Sequence, residues 1–115
     1  MMKRLSFVFA AALVGSLPAS ALDCGEPPMA QPPVPDGSRA DADDIRTARD
    51  AVLTYSKKVD EYLSCMDQRA PTILPYLTKE QKLRWDEDLT GLHNHRRDLQ
   101  VKLNEAIRSY RRQDS

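Results

Sequence analysis

Few side chains in this sequence have the types and the spacing that catalysis requires. His93 and His95 form a His-x-His pair within a helical pattern, where residues two apart point about 200° apart. They cannot share a metal ion, so we interpret both as solvated surface residues. Asp86-Glu87-Asp88 supplies carboxylates, but only Asp86 lies near the face of His93, two turns away. We therefore predict no catalytic residue, no cofactor and no metal, and we do not expect an enzyme.

Cys24 and Cys65 are the two cysteines of the chain, and each is the other's only intramolecular candidate for pairing. Export to an oxidising compartment would favour a disulfide between them. We predict an intramolecular bridge. The alternatives are an intermolecular bridge or a free thiol.

Three arginines concentrate positive charge near the end of the chain: Arg108, Arg111 and Arg112. This cluster is a candidate interaction site for an acidic partner. A helix C-terminus also favours basic side chains through the helix dipole, and we prefer this simpler interpretation.

Residues 1–21 have the pattern of a secretory signal peptide, with Lys3 and Arg4 before an apolar stretch and Ala19-Ser20-Ala21 as the cleavage motif. An uncleaved membrane anchor is the alternative. The apolar stretch has about 13 residues, however, and a bilayer span needs about 20. We expect cleavage, a periplasmic or secreted location, and no membrane span afterwards.

Loss of that signal leaves 94 residues with 15 basic and 17 acidic side chains, a net charge near −2. This balance gives no general attraction to nucleic acid or to anionic lipid, and we expect no nucleic-acid partner. A chain of this length makes one small domain without a deep buried cleft.

Residues 41–68 read as one long amphipathic helix. Its apolar positions alternate three and four residues apart, which is a heptad seam and not the period of a strand. They are Ile45, Ala48, Val52, Tyr55, Val59, Tyr62 and Met66. Asp41 is a suitable N-cap, and Pro71 disfavours helix at the residue before it. We predict a helix over about 42–69.

Five prolines in residues 22–40 predict an extended, polyproline-like segment. It could be a loose linker. Polyproline geometry gives the 17 residues from Cys24 to Asp41 a reach of about 53 Å, against a helical rise of about 36 Å from Asp41 to Cys65. The bridge can close if the segment runs back along the helix. We call residues 22–40 the strap and expect Met29 and Val34 to be its apolar contacts.

A second helix is predicted over about 79–112, after a capping box formed by Thr78 and Gln81. Gly91 weakens it by about 1 kcal/mol without ending it. Its seam residues are Trp85, Leu89, Leu92, Leu99, Leu103, Ala106 and Tyr110. Arg96 occupies one seam position. It either extends outward to Asp60 or Glu61, which we favour, or fixes register or oligomeric state.

Two helices joined by a short turn pack antiparallel, so residues 41–112 should form a helical hairpin with coiled-coil-like packing. Matching the seams places Val59 near Arg96 and Tyr55 near Leu99. The fold class is therefore an all-α antiparallel two-helix hairpin with a disulfide-bonded, proline-rich strap. Either the strap covers the remaining apolar surface, or two hairpins pair into a four-helix bundle. We favour the strapped monomer.

Several motifs resemble an uncharacterised family of small exported bacterial proteins, which has a Cys-x-x-Pro…Pro-Asp-Gly segment and a helix that ends in Tyr-Leu-x-Cys. The matching residues are Cys24, Pro27, Pro33-Val34-Pro35-Asp36-Gly37, Asp41, Asp44, Ala51-Val52, Tyr55, Glu61-Tyr62-Leu63-Ser64-Cys65 and, at the end, 103–110. The resemblance implies export, paired cysteines and a helical hairpin, and it implies no catalytic residue. Leu53, where that family tends to have a charged residue, departs from the pattern.

These observations favour a non-enzymatic periplasmic or secreted protein that presents its helix faces to an unknown protein partner or to a second copy of itself. The alternative is an envelope-associated or acidic-ligand-binding protein. It would use the arginines at the end of the chain and exposed apolar residues such as Leu53 and Val101.

Overall fold

The computed structural model describes residues 24–113 of the chain. The predicted signal peptide, residues 1–21, and the first two residues of the strap lie outside the described residues. The chain forms helix α1 (Ala42–Ile73), a single 3-10 turn (Leu74–Tyr76) and helix α2 (Lys79–Gln113). Residues 24–113 contain no strand, so the all-α prediction is confirmed.

A reciprocal capping box begins α1. The Asp44 backbone N–H donates to the Asp41 side chain at 2.8 Å, and the Asp41 N–H donates to the Asp44 carboxylate at 3.1 Å. This satisfies two amides that no helical carbonyl can reach. Just upstream, the hydroxyl and the backbone N–H of Ser38 both donate to Asp36, which lowers the pKa of that carboxyl and holds the turn into the helix.

The predicted end of α1 near residue 69 is wrong by about one turn. The helix continues to Ile73 and contains Pro71 in its last turn. A proline so close to the end removes one helical hydrogen bond, and the Leu74 N–H still donates to the Ala70 carbonyl beyond it. Continuation of the helix to this point places Ile73 and Leu74 in half-buried positions. The preference against helix before proline is therefore outweighed here.

The start of α2 agrees with its predicted capping box. The Gln81 N–H donates to the Thr78 hydroxyl at 3.1 Å, and the Thr78 N–H donates to the Gln81 side chain at 2.9 Å. The helix then continues without interruption through Gly91 to Gln113, one residue beyond the predicted end.

The core lies along the two seams. From α1 it contains Val52, Tyr55, Val59 and Leu63, and from α2 it contains Leu92 and Leu99. The predicted seam residues Tyr62 and Met66 are only half-buried, because Leu63 takes the buried position in that turn. The α1 seam therefore drifts by one residue toward the end of the helix, as expected when 3.6 residues per turn meet a seven-residue repeat.

Contacts between the helices define an antiparallel register. The Arg96 guanidinium pairs with the Asp60 carboxylate, and the Gln100 side-chain amide donates to the Ser56 hydroxyl at 3.3 Å. The predicted register, which places Val59 near Arg96, is thus correct to within one residue. The favoured interpretation of Arg96, a side chain that extends from the seam to Asp60, is confirmed.

The strap runs back along α1 and is joined to it by the Cys24–Cys65 disulfide, as predicted. Near its middle, the Tyr55 hydroxyl donates to the Pro28 carbonyl at 2.9 Å, and Val34 packs against the core. Met29 is a weaker apolar contact than expected. It is 59% exposed, and it lines cavities between the strap and the helices.

The turn before α1 is tied to the end of α2. Gly37 is buried against the backbone of Ala106. The Gln113 side-chain amide donates to the carbonyls of Gly37 and Ala40, at 2.7 and 2.9 Å. Both ends of the hairpin are therefore connected, one by the 3-10 turn and the other by this contact.

Two glycines give a matched prediction about that contact. A Cβ atom at Gly37 would overlap the Ala106 carbonyl oxygen, whereas a Cβ atom at Gly91 would meet no atom within 4 Å. We expect Gly37→Ala to destabilise the fold by about 1–3 kcal/mol, as other overpacked sites do. Gly91→Ala should stabilise it by about 1 kcal/mol through helix propensity. Urea unfolding followed by circular dichroism measures both, and equal midpoints for the two variants would contradict the contact.

Candidate functional site

The predicted site residues lie on different parts of α2. His93 is exposed, with Nδ1 3.5 Å from the Arg96 guanidinium, whereas His95 faces the side on which the strap runs. The two imidazoles therefore do not converge. Among residues 24–113, no three His, Cys, Asp or Glu side chains come close enough together to hold a metal ion.

The three arginines of the candidate interaction site occupy the last two turns of α2. All three side chains are exposed, and the Arg112 guanidinium donates to the Ser109 hydroxyl at 3.0 Å. Gln113 anchors this end of the helix to the turn before α1. The arginines are thus displayed on a fixed helix end, and their role in binding stays a prediction.

Two tyrosines on α1 have perturbed phenols. Burial raises the pKa of Tyr55 and of Tyr62 above the ordinary value, and for Tyr62 the nearby Asp88 carboxylate raises it further. Both phenols therefore stay protonated at neutral pH. Tyr55 uses its proton in the hydrogen bond to the strap, and neither phenol is available as an anionic nucleophile or base.

One interhelical groove is left uncovered by the strap, and we call it the open groove. It has a volume of about 400 Å³ between α1 and α2, and no strap residue lines it. Its apolar floor and its polar edges are formed by Val52, Leu53, Leu103 and Ile107, and by Arg49, Asp50, Ser56, Gln100 and Asn104. Leu53 is 71% exposed, so the groove offers a large apolar side chain to solvent.

A second cavity lies where the strap crosses the helices, and we call it the strap pocket. It has a volume of about 410 Å³ and is bounded by the strap, α1 and α2 together. Its lining consists of Pro27, Met29, Tyr62, Glu87, Asp88, Leu89, Gly91, Leu92 and His95. Gly91 leaves open the space that a side chain would otherwise occupy.

The sequence indicated one of these two features. Leu53, predicted as an exposed apolar residue, is the signal of the open groove, which it lines. The strap pocket could not be found in this way, because it depends on which α2 residues face the strap. Gly91 gave a hint only as a weak point in an otherwise continuous helix.

Neither described helix has a stretch both apolar and long enough to cross a bilayer. In comparisons with protein-family models, with curated proteins and with solved structures, no match to this chain is found.

Proposed function

We propose that this protein is a non-enzymatic interaction or structural module of the periplasm or the secreted space, and that it binds a second helical chain in the open groove. The observation that carries the proposal is the exposure of Leu53 between Leu103 and Ile107. The strap covers the other side of the hairpin and leaves this apolar floor without a cover.

The composition of the open groove suits a helical occupant. A helix lays apolar side chains into a groove at i, i+3 and i+4 spacing, and here the two antiparallel helices of the hairpin would flank it. The edge residues Arg49 and Asp50 carry opposite charges, so two copies of the groove can face each other without like-charge repulsion. A second copy of the chain is therefore the occupant to test first.

The proposed location is supported by two observations of different kinds. The Cys24–Cys65 disulfide is typical of proteins in oxidising compartments. The signal-like sequence of residues 1–21 supports export independently. The resemblance to a family of small exported proteins agrees with both and is likewise a proposal.

Leu53→Asp should abolish association through the groove. Sedimentation equilibrium of the oxidised protein over a range of concentrations is expected to show reversible dimerisation, and the variant should remain monomeric because a dimer would bury its carboxylate. Since Leu53 is largely solvated, the fold itself should lose less than about 1 kcal/mol.

Leu83→Asp is the matched control, because Leu83 is 60% exposed but does not line the groove. It should dimerise as the unmodified protein does. If the unmodified protein is monomeric throughout, a photo-crosslinker at position 53 should capture a different helical protein from the periplasm. A monomer that gives no crosslink from position 53 would contradict the proposal.

The arginine-rich end of α2 supports an alternative function, in which the protein binds an acidic ligand or the anionic envelope surface. Arg108 and Arg112 are exposed on consecutive turns, four residues apart, and share one side of the helix end. Flotation with anionic liposomes tests this alternative directly. Binding that disappears at high salt and in the variant Arg108→Gln/Arg112→Gln would support it, and absence of binding would contradict it.

A further inference from the structure

The strap pocket is the cavity in which all three segments of the described chain meet. Pro27 and Met29 form its outer wall, Tyr62 contributes the α1 side, and Gly91 and Leu92 form the α2 side. Its volume of about 410 Å³ falls in the range of small-molecule sites, about 300–1,000 Å³. It is separate from the open groove and does not depend on the proposed function.

The position of Gly91 makes this cavity. Glycine costs about 1 kcal/mol relative to alanine inside a helix. At Gly91 the backbone is ordinary α-helix and a Cβ atom would meet nothing within 4 Å, so neither backbone conformation nor close packing requires the glycine. Its missing side chain leaves open space on the α2 side of the pocket.

The side chains that line the pocket favour a positively charged ligand. The walls are mostly apolar, and besides the Tyr62 phenol their ionisable groups are the carboxylates of Glu87 and Asp88 and the imidazole of His95. Among residues 24–113, no lysine or arginine contributes to the lining. Asp88 and Tyr62 both line the pocket, so a carboxylate and an aromatic ring are available to the same ligand. After burial, the Asp88 carboxylate is the second cause that raises the pKa of Tyr62.

We propose that the strap pocket binds a small organic cation, an ammonium group attached to an apolar body. The apolar body would lie against Leu92 and Met29, in the space left by Gly91. The ammonium group would lie between the Asp88 carboxylate and the face of the Tyr62 ring, where ion pairing and a cation–π contact act together.

Phenethylammonium is a suitable probe, with 2-phenylethanol and 3-phenylpropionate as neutral and anionic analogues of similar size. Titration of the oxidised, full chain followed by amide NMR should show saturable shifts at Gly91 and Leu92 with the ammonium. The alcohol should bind at least tenfold more weakly, and the carboxylate should not bind.

Two variants locate the site, and one controls for net charge. Gly91→Leu should fill the pocket and abolish binding while the melting temperature stays equal or rises. Asp88→Asn should weaken ammonium binding about tenfold and leave binding of the alcohol unchanged. Asp86→Asn removes one charge from the same helix at a residue that does not line the pocket, and it should change nothing.

Three results would each overturn the proposal. One is the absence of saturable shifts with the ammonium. Another is equal affinity for the ammonium and the carboxylate, which would remove the charge selectivity. The third is a Gly91→Leu or Asp88→Asn protein that binds the ammonium as the unmodified protein does.

Discussion

Replacement of Val59 by aspartate is expected to prevent folding. Val59 is 0% exposed and lies between Tyr55 and Leu63 in the core. The substitution removes about 1.5–3 kcal/mol of apolar burial and adds the cost of a buried carboxylate, several kcal/mol. Arg96, the nearest cation in register, already pairs with Asp60. The sum is comparable to the total stability of about 5–15 kcal/mol for a small domain.

Two neighbouring substitutions separate the charge effect from the others. Val59→Ala keeps the site neutral and should cost about 2 kcal/mol, so the protein should still fold. Asp60→Ala removes an exposed partner of Arg96 and should cost less than about 1 kcal/mol. Circular dichroism on heating measures all three variants. A Val59→Asp protein that melts within a few degrees of the unmodified chain would show that the two helices do not pack closely around residue 59.

Loss of the disulfide is expected to be the second large effect. The bond closes a loop with a sequence separation of 41 residues, which corresponds to about 4 kcal/mol in the chain-entropy account. Reduction, or Cys65→Ser, should therefore lower the melting temperature substantially. It should also expose the strap before Asp36 to proteases, because the remaining contacts of this segment are a few, among them the Tyr55 hydrogen bond and Val34.

The double variant Cys24→Ser/Cys65→Ser serves as the control. Its melting temperature and its digestion pattern should be the same with and without reductant, and both should resemble those of the reduced unmodified protein. Mass mapping of the fragments identifies where cleavage occurs. Equal protease resistance of the strap with and without reductant would show that it is held by its side-chain contacts alone.

The elements that repeat with a regular period were predictable from the sequence. The 3,4 spacing from Ile45 to Val59 identifies five residues that are all buried. The N-cap at Asp41 and the capping box at Thr78 start both helices where expected. These signals are local, because periodicity and capping depend on side chains within one or two turns. The antiparallel register followed from the short connection.

Features that depend on contacts between distant segments of the chain could not be predicted from the sequence. Tertiary packing accounts for Pro71 inside α1, for the position of Met29 at the edge of the strap pocket and for Leu63 in place of Met66 in the core. The two glycines show the same limit most clearly. Gly37 permits contact with Ala106, and Gly91 leaves a cavity, yet no neighbour in the sequence distinguishes these roles.

The two candidate sites differ in the same way, since the open groove was partly predictable from the sequence and the strap pocket was not. Leu53 was predicted to be an exposed apolar residue, and the structure places it in the open groove. Asp88 and Tyr62 are 26 positions apart and come together only through the hairpin. In the sequence, Asp88 is distinguished only as one of three consecutive acidic residues.

The covalent bond between Cys24 and Cys65 also determines how the molecule would carry a mechanical load. Tension applied at Cys24 enters α1 at Cys65, about two turns from the end of that helix, and bypasses the strap and most of α1. The bypassed residues cannot be extended, which shortens the stretched chain by roughly 140 Å at 3.3–3.6 Å per residue. Gln113, at the end of α2, lies beside the turn that precedes α1. Tension between Cys24 and the end of α2 would therefore act along the helix axes and slide α2 past α1, while the strapped part of α1 stays intact.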